Sequence, residues 1–152
     1  PDELLAELDF VTASIHAGMG SDMAANTRRT LAAMSNPHVH CIGHPTGRLI
    51  NERDAMPLDM EAIAREAART GTALEINANY YRLDLKDQHA RLARDLGATI
   101  LINTDAHATD QLEQMEFGVI TARRAGLRKG DVLNTRPAKE VQAFAAKKRR
   151  RG

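Results

Sequence analysis

With 152 residues and 43% of them hydrophobic, the chain is long enough for one domain with a real core. Only 3% are aromatic and none is Trp, which leaves that core to Ala, Leu, Ile, Val and Met. A net charge of +1 points by itself to neither a nucleic acid nor an anionic membrane, although Lys147, Lys148, Arg149, Arg150 and Arg151 close the sequence. Such a run reads first as a solvated helix end and only second as a phosphate-binding patch. One cysteine, Cys41, excludes an internal disulfide and fits a reducing cytoplasm, and no segment suits a membrane span or a signal peptide.

In chain order, Pro1 leads into an acidic helix-like segment at 2–8, consistent with a removed initiator Met or with the cut edge of a longer protein. Strand-like runs follow at 10–16, 39–44, 73–79 and 99–105. Between them the spacing predicts helices over 22–34, with Met23, Leu31 and Met34 as its apolar side, over 59–70, capped by Gly71, and over 87–96, ending at Gly97. Beyond the last strand, 110–115 and 119–125 read as two helices broken at Gly118, and 137–149 as a final helix with Pro137 in its first turn.

Strand and helix in alternation, with short connections, imply parallel strands with helices outside. The parity within the strands says more. Val11, Ala13 and Ile15 alternate with Thr12, Ser14 and His16; Leu74 and Ile76 alternate with Glu75, Asn77 and Asn79; Ile100 and Ile102 alternate with Leu101, Asn103 and Asp105. A doubly covered parallel strand is apolar on both faces. Here one face turns polar towards the C-terminal end, as in a barrel, or part of one, that opens into a site at that mouth. The fold class expected is therefore α/β, a parallel-strand partial barrel, within a single unit over 1–152.

Three strands end in ligand-type side chains: His16, His44, and the pair Asp105 and His107. Any one histidine would more often be a strand-end hydrogen bonder. Four such residues at equivalent ends of parallel strands converge, and an oxygen ligand beside nitrogen ligands suits zinc or manganese. His40 lies about 13 Å down its strand from His44, at ~3.3 Å per residue, and is expected to be structural. His38 is expected in an exposed turn, His89 on the polar side of a helix start, and Cys41 buried on the apolar face. Glu75 points inward but is too deep for the mouth, and reads as an interior hydrogen-bonding partner. Arg48, Asn79 and Arg82 lie towards the rim, where each is either a phosphate contact or simply solvated.

The strand endings S-I-H-A-G, G-H-P-T-G-R, E-I-N-A-N and I-N-T-D-A-H-A-T-D-Q resemble the polymerase-and-histidinol-phosphatase (PHP) superfamily. The segments N-P-H-V-H-C-I-G-H-P-T-G-R-L, R-L-D-L-x-D-x-H-A-R and D-V-L-N-T-R-P resemble more specifically the C-terminal PHP domain of bacterial family-X DNA polymerases. The likeness runs from about Asp9 to the final helix. It implies a distorted (β/α)7 barrel with manganese or zinc at its C-terminal mouth, and a metal-dependent phosphoesterase activity such as 3′–5′ exonuclease or 3′-end processing in DNA repair. His16, His44, Asp105 and His107 fall on later metal ligands of that family.

The family also uses an H-x-H pair, a further histidine and a bridging glutamate from its first strands, and the polymerases carry a polymerase domain. Nothing in this sequence supplies those first-strand residues or that domain. The resemblance therefore implies the C-terminal half of a PHP domain, four β/α units of the barrel, binding at most one metal properly and weakly active or inactive alone. In the intact protein the partners would be DNA, the missing N-terminal half of the PHP domain and the polymerase domain. An open half-barrel would expose edge strands, for which a homodimer or swapped assembly is expected. Two alternatives stay open: a small-molecule phosphatase of the histidinol-phosphatase type, and a non-catalytic interaction module.

Overall fold

A computed structural model describes residues 1–150. Its centre is a sheet of four parallel strands in sequential order: β1 (Thr12–Ala13), β2 (Cys41–Ile42), β3 (Ala73–Asn77) and β4 (Ile100–Asn103). The register aligns Thr12 with Cys41, Cys41 with Ala73, and Leu74 to Asn77 with Ile100 to Asn103. The expected partial α/β barrel is thus present, with regular pairing over fewer residues than the apolar runs cover. Among the described residues β1 has a neighbour on one side only, and the chain turns out of the strand before His16 and at His44.

Helices α1 (Asp2–Glu7), α2 (Met23–Ser35), α3 (Met60–Thr70), α4 (Asp87–Asp95), α5 (Met115–Arg124) and α6 (Ala138–Arg149) complete the fold. Local chemistry sets their ends. The Asp22 side chain accepts from Ala25 N at 2.7 Å and that of Asp59 from Ala62 N at 3.0 Å, each satisfying a free amide of a first turn. Gly71 ends α3 with φ +72°, a left-handed conformation that costs glycine nothing. In α2 the buried side is partly polar. Met23 is exposed, while buried Thr30 bonds Asn26 O and Thr27 Oγ1 accepts from Asp59 N, so these groups are paired inside the fold.

One face of the sheet packs against α2 to α5 through Ile42, Leu74, Ile76, Ile100 and Ile102, with Ile63, Ala64, Ala67, Ala90 and Ala93 opposite. Burying each large aliphatic side chain contributes about 1.5–3 kcal/mol. On the other face, below the polar mouth, Cys41, Ala73, Leu101 and Leu133 form a second cluster closed by Phe10, Val141 and Phe144. Cys41 is buried, but it lies on the inner face instead of the helix-covered one. Val39 packs on the helix side with Ile42, so alternation fails between them and counting from Val39 gives the wrong parity.

Three further expectations change. The segment Thr109–Gln114 is a 3-10 helix, and α5 runs straight through Gly118. A Cβ at that position would stand 2.5 Å from Ile102 Cγ2 and 2.7 Å from Ala78 Cβ, so the glycine permits close helix–sheet packing and breaks nothing. The basic run does close α6, with Lys147 and Arg150 exposed as expected, but Lys148 is not; Arg151 lies outside the described residues. Lys148 is buried with Nζ donating to Met34 O at 2.5 Å, at the negative end of α2, and Arg149 bonds Leu8 O. Finally, the outer edge of β4 is not open. Val132 bridges Ile100 in parallel, and the Asn134 side chain accepts from Ile102 N (3.2 Å) and donates to Ile102 O (2.7 Å), imitating a neighbouring strand. Among the described residues no helix is long and apolar enough to cross a membrane.

Candidate functional site

The polar inner face opens at the C-terminal ends of the strands into a cavity of about 310 Å3 lined by Thr12, Ser14, His16, His44, Glu75, Asn103 and Asp105. Its floor is Glu75, which is buried and accepts three hydrogen bonds: from His44 N at 2.5 Å, Asn103 Nδ2 at 2.9 Å and Asn77 Nδ2 at 3.1 Å. Burial pushes its carboxyl above the usual carboxylate range, while the three donors pull the other way. Gly43 leaves room for this arrangement, since a Cβ there would fall 2.7 Å from Ser14 Oγ and 2.9 Å from Thr12 Cγ2.

His16 and His44 come together above that floor. Their rings stack with centroids 5.0 Å apart, and the two Nε2 atoms face each other at 3.1 Å. Strand parity alone would send His44 with Ile42 to the helix side. The backbone at His44 has φ +29°, outside the extended region, and this turn brings the ring to the mouth. Asp105 is the second site residue with positive φ, at +55°. Both thus hold backbone conformations that surrounding contacts must enforce, a pattern concentrated at functional sites.

Asp105 Oδ2 accepts from Asn77 Nδ2 at 3.2 Å and pairs with Arg82 Nε at 3.4 Å. Its carboxylate forms the wall between the main cavity and a second recess of about 220 Å3, lined by Leu49, Glu52, Asn79, Tyr81, Arg82, Asp105 and His107. His107 belongs to that recess. Its Nδ1 lies 2.7 Å from Asp105 O; because a carbonyl only accepts, Nδ1 is the donor, and in the neutral tautomer that makes this bond the lone pair is on Nε2. His44 has its pKa lowered, first by burial and then by the Arg82 guanidinium, which favours a neutral imidazole able to donate a lone pair.

Of the four expected ligands the structure therefore gathers His16, His44 and Asp105 around one cavity and sets His107 beside them, across Asp105. Among the described residues no three His, Cys, Asp or Glu side chains stand close enough to share an ion. The donor chemistry still fits zinc or manganese in part. Two imidazole nitrogens 3.1 Å apart match the spacing of adjacent ligands around an ion at about 2.0–2.1 Å from each.

The phosphate candidates separate. Asn79 and Arg82 line the recess with Asp105. Arg48 does not: its Nε donates to Arg82 O at 2.6 Å, its Nη2 to Leu83 O, and it lines a different groove with Phe117, Ile120 and Arg124. It braces the loop that carries Arg82, where Leu83 holds φ +43°. His40 is buried, accepting from Val11 N at 2.9 Å and stacking on Phe10 at 5.1 Å, far below the mouth. His38 and His89 are half-buried, not exposed. Asp84 escaped the sequence reading: it is buried, accepts from Thr46 N at 2.9 Å, and ties the β2 exit to the loop after β3. An aspartate between Leu83 and Leu85 was the available signal.

The chain is 43% identical over 143 residues to the DNA polymerase/3′-5′ exonuclease PolX of Bacillus subtilis, covering 94% of this chain and 25% of that protein. The chain belongs to the PHP family. A probable phosphatase of Syntrophotalea carbinolica is 33% identical over 142 residues, 88% of this chain and 57% of the phosphatase. One from a Thermoanaerobacter species is 29% identical over 161 aligned residues, spanning all of this chain and 63% of that protein. This PHP chain thus corresponds to about a quarter of the polymerase and to roughly three fifths of these phosphatases. No protein-family model matches it.

Proposed function

We propose that this PHP chain forms part of a metal-dependent phosphoesterase site that hydrolyses phosphodiesters at DNA 3′ ends, as the 3′–5′ exonuclease portion of a cytoplasmic repair polymerase. The observation that carries the reading is the facing pair His16 and His44, with Asp105 on the same cavity, at the strand ends of a relative of a polymerase/exonuclease. His16 and His44 would hold a manganese or zinc ion through Nε2, with Asp105 and His107 completing a donor set shared with ligands from outside these residues. Such an ion supplies an activated water near neutral pH and neutralises charge on phosphate oxygens.

The chain's own residues do the rest. Glu75 fixes the His44 backbone, Asn77 and Arg82 aim the Asp105 carboxylate, and Asp105 O sets the His107 tautomer. Arg82 and Asn79 lie where a phosphate beside Asp105 would meet a cation and an amide. On this reading the chain alone is weakly active or inactive. The free side of β1 is where a missing barrel half, or a second copy in a dimer or swapped assembly, would pair.

A second reading, a small-molecule phosphatase, is supported by the probable phosphatases, which the chain covers more fully than it does the polymerase. Single-turnover assays with manganese on a primer 3′ end and on a phosphorylated small alcohol separate the two. Release of nucleotides from the primer supports the exonuclease reading. Turnover of the alcohol phosphate alone overturns it in favour of the second, and turnover of neither by the chain joined to the rest of its barrel overturns both.

A further inference from the structure

Five residues of this chain are aromatic, three Phe and two Tyr. Phe10 and Phe144 pack against the lower cluster. The two tyrosines instead stand side by side in solvent, Tyr80 46% and Tyr81 49% exposed. They are nevertheless held. Their ring centroids are 4.2 Å apart at a tilt of 41°, and Tyr80 meets Phe117 of α5 edge-on at 6.3 Å. Tyr81 N donates to Asn79 Oδ1 at 3.0 Å, Tyr81 O accepts from Ile50 N at 2.6 Å, and Arg48 grips the next two carbonyls. A chain this poor in aromatics forgoes the burial of two large rings here, and braces the loop that displays them.

Their surroundings indicate a ligand. Tyr81 lines the recess with Asn79, Arg82, Asp105 and His107. Arg82 Nη1 is buried there with no hydrogen-bond partner among the described residues. A guanidinium with an unpaired donor beside two half-exposed tyrosines suits a molecule with an anionic group and a flat π system. A nucleotide has both: its phosphate takes the charge-assisted bond and its base stacks on an aromatic ring.

We infer that Tyr80 and Tyr81 form a stacking platform for the base of an unpaired nucleotide whose phosphate lies in the recess beside Arg82, so that the site prefers nucleotides to base-free phosphoesters. The inference rests on the phosphoester reading above and adds to it which phosphoesters are chosen. It needs a base out of its duplex, because a base paired inside a duplex has both faces stacked already.

The test titrates the chain, in manganese buffer, with 2′-deoxyadenosine 5′-monophosphate and with 2-deoxyribose 5-phosphate, which differ by the base alone. Calorimetry gives the affinities. With no Trp and only these two Tyr in the chain, its intrinsic emission reports on this pair. The nucleotide is expected to bind about tenfold more tightly, within the range of one base–aromatic stack, and to quench the tyrosine emission. The Tyr80→Ala/Tyr81→Ala double variant should lose that tenfold while its affinity for the sugar phosphate is unchanged, and Tyr80→Phe/Tyr81→Phe should keep the preference. Equal affinities for the two ligands, or an undiminished preference in the alanine variant, would overturn the platform and leave the phosphoester reading standing. Binding of neither ligand would overturn that reading and the platform with it. A dimer that dissociates in the alanine variant, with no preference for the base, would assign the rings to a second copy and overturn the inference.

Discussion

Glu75 Oε2 receives the His44 backbone amide at 2.5 Å, so a carboxylate on the third strand fixes the residue that turns out of the second. The bond, together with the Gly47 amide that donates to His44 O at 2.9 Å, holds a histidine at φ +29°. Replacing Glu75 by Leu would leave the His44 backbone amide and the Asn103 side-chain amide without this acceptor, and Asn77 with Asp105 alone. The expected loss is about 2–4 kcal/mol of unfolding free energy. Urea denaturation of Glu75→Leu measures it, and a change of less than half a kcal/mol would remove Glu75 from this role.

Gly118 gives a second, opposite-looking prediction. Alanine is the better helix former, yet its Cβ would press on Ile102 and Ala78 across the helix–sheet contact. Overpacking outweighs propensity, and Gly118→Ala is expected to destabilise by about 1–3 kcal/mol. A raised melting temperature would show that α5 can shift outward at no cost.

Beyond the Val132–Ile100 bridge, the β4 edge is covered by one side chain. Asn134 makes both backbone bonds to Ile102 that a fifth strand would otherwise make. Asn134→Leu keeps the branched shape and removes both, for an expected cost of about 1–3 kcal/mol and a greater tendency to self-associate through the uncovered edge. Thermal unfolding together with light scattering reads both effects.

Acid sensitivity should come in part from His40. Burial, with Arg149 and Lys148 nearby, pushes its pKa down to about 4 from 6.5. The unfolded chain therefore binds a proton that the folded one refuses between these values. The stability contributed by His40 is full above pH 6.5 and is lost as pH falls towards 4, by an amount on the order of 3 kcal/mol. Asp84 works in the opposite sense. Burial raises its carboxyl to about 6 from 3.8, so its contribution is present at low pH and is lost as pH rises through 6. His40→Gln should remove the acid-side loss, and Asp84→Asn the loss on raising the pH. Denaturation midpoints between pH 4 and 7 show each slope separately.

What could be read in the sequence followed from periodicity and from strand endings. Alternation of Leu74 and Ile76 with Glu75 and Asn77 gave the helix-covered and polar faces, and the positions of His16, His44 and Asp105 after apolar runs placed them at one mouth. The readings that failed did so where local counting meets tertiary packing. Gly118 looks like a helix break until Ile102 and Ala78 stand against it. Cys41 changes face because alternation slips after Val39, and Arg48 looks like a rim cation until two carbonyls claim it. Lys148 sits in a run that reads as a solvated helix end, and its bond to the end of α2 is made only in the folded chain. His107 shares parity with Asp105, but the left-handed turn at Asp105 sends it to the neighbouring recess.

Metal retention tests the site most directly. After incubation with manganese or zinc and gel filtration, elemental analysis should find about one ion per chain, and less than a tenth of that in His16→Ala/His44→Ala. His40→Gln, well below the mouth, should retain the ion as the parent does. A parent chain that emerges without metal, or a double variant that holds as much as the parent, would contradict metal binding by His16 and His44.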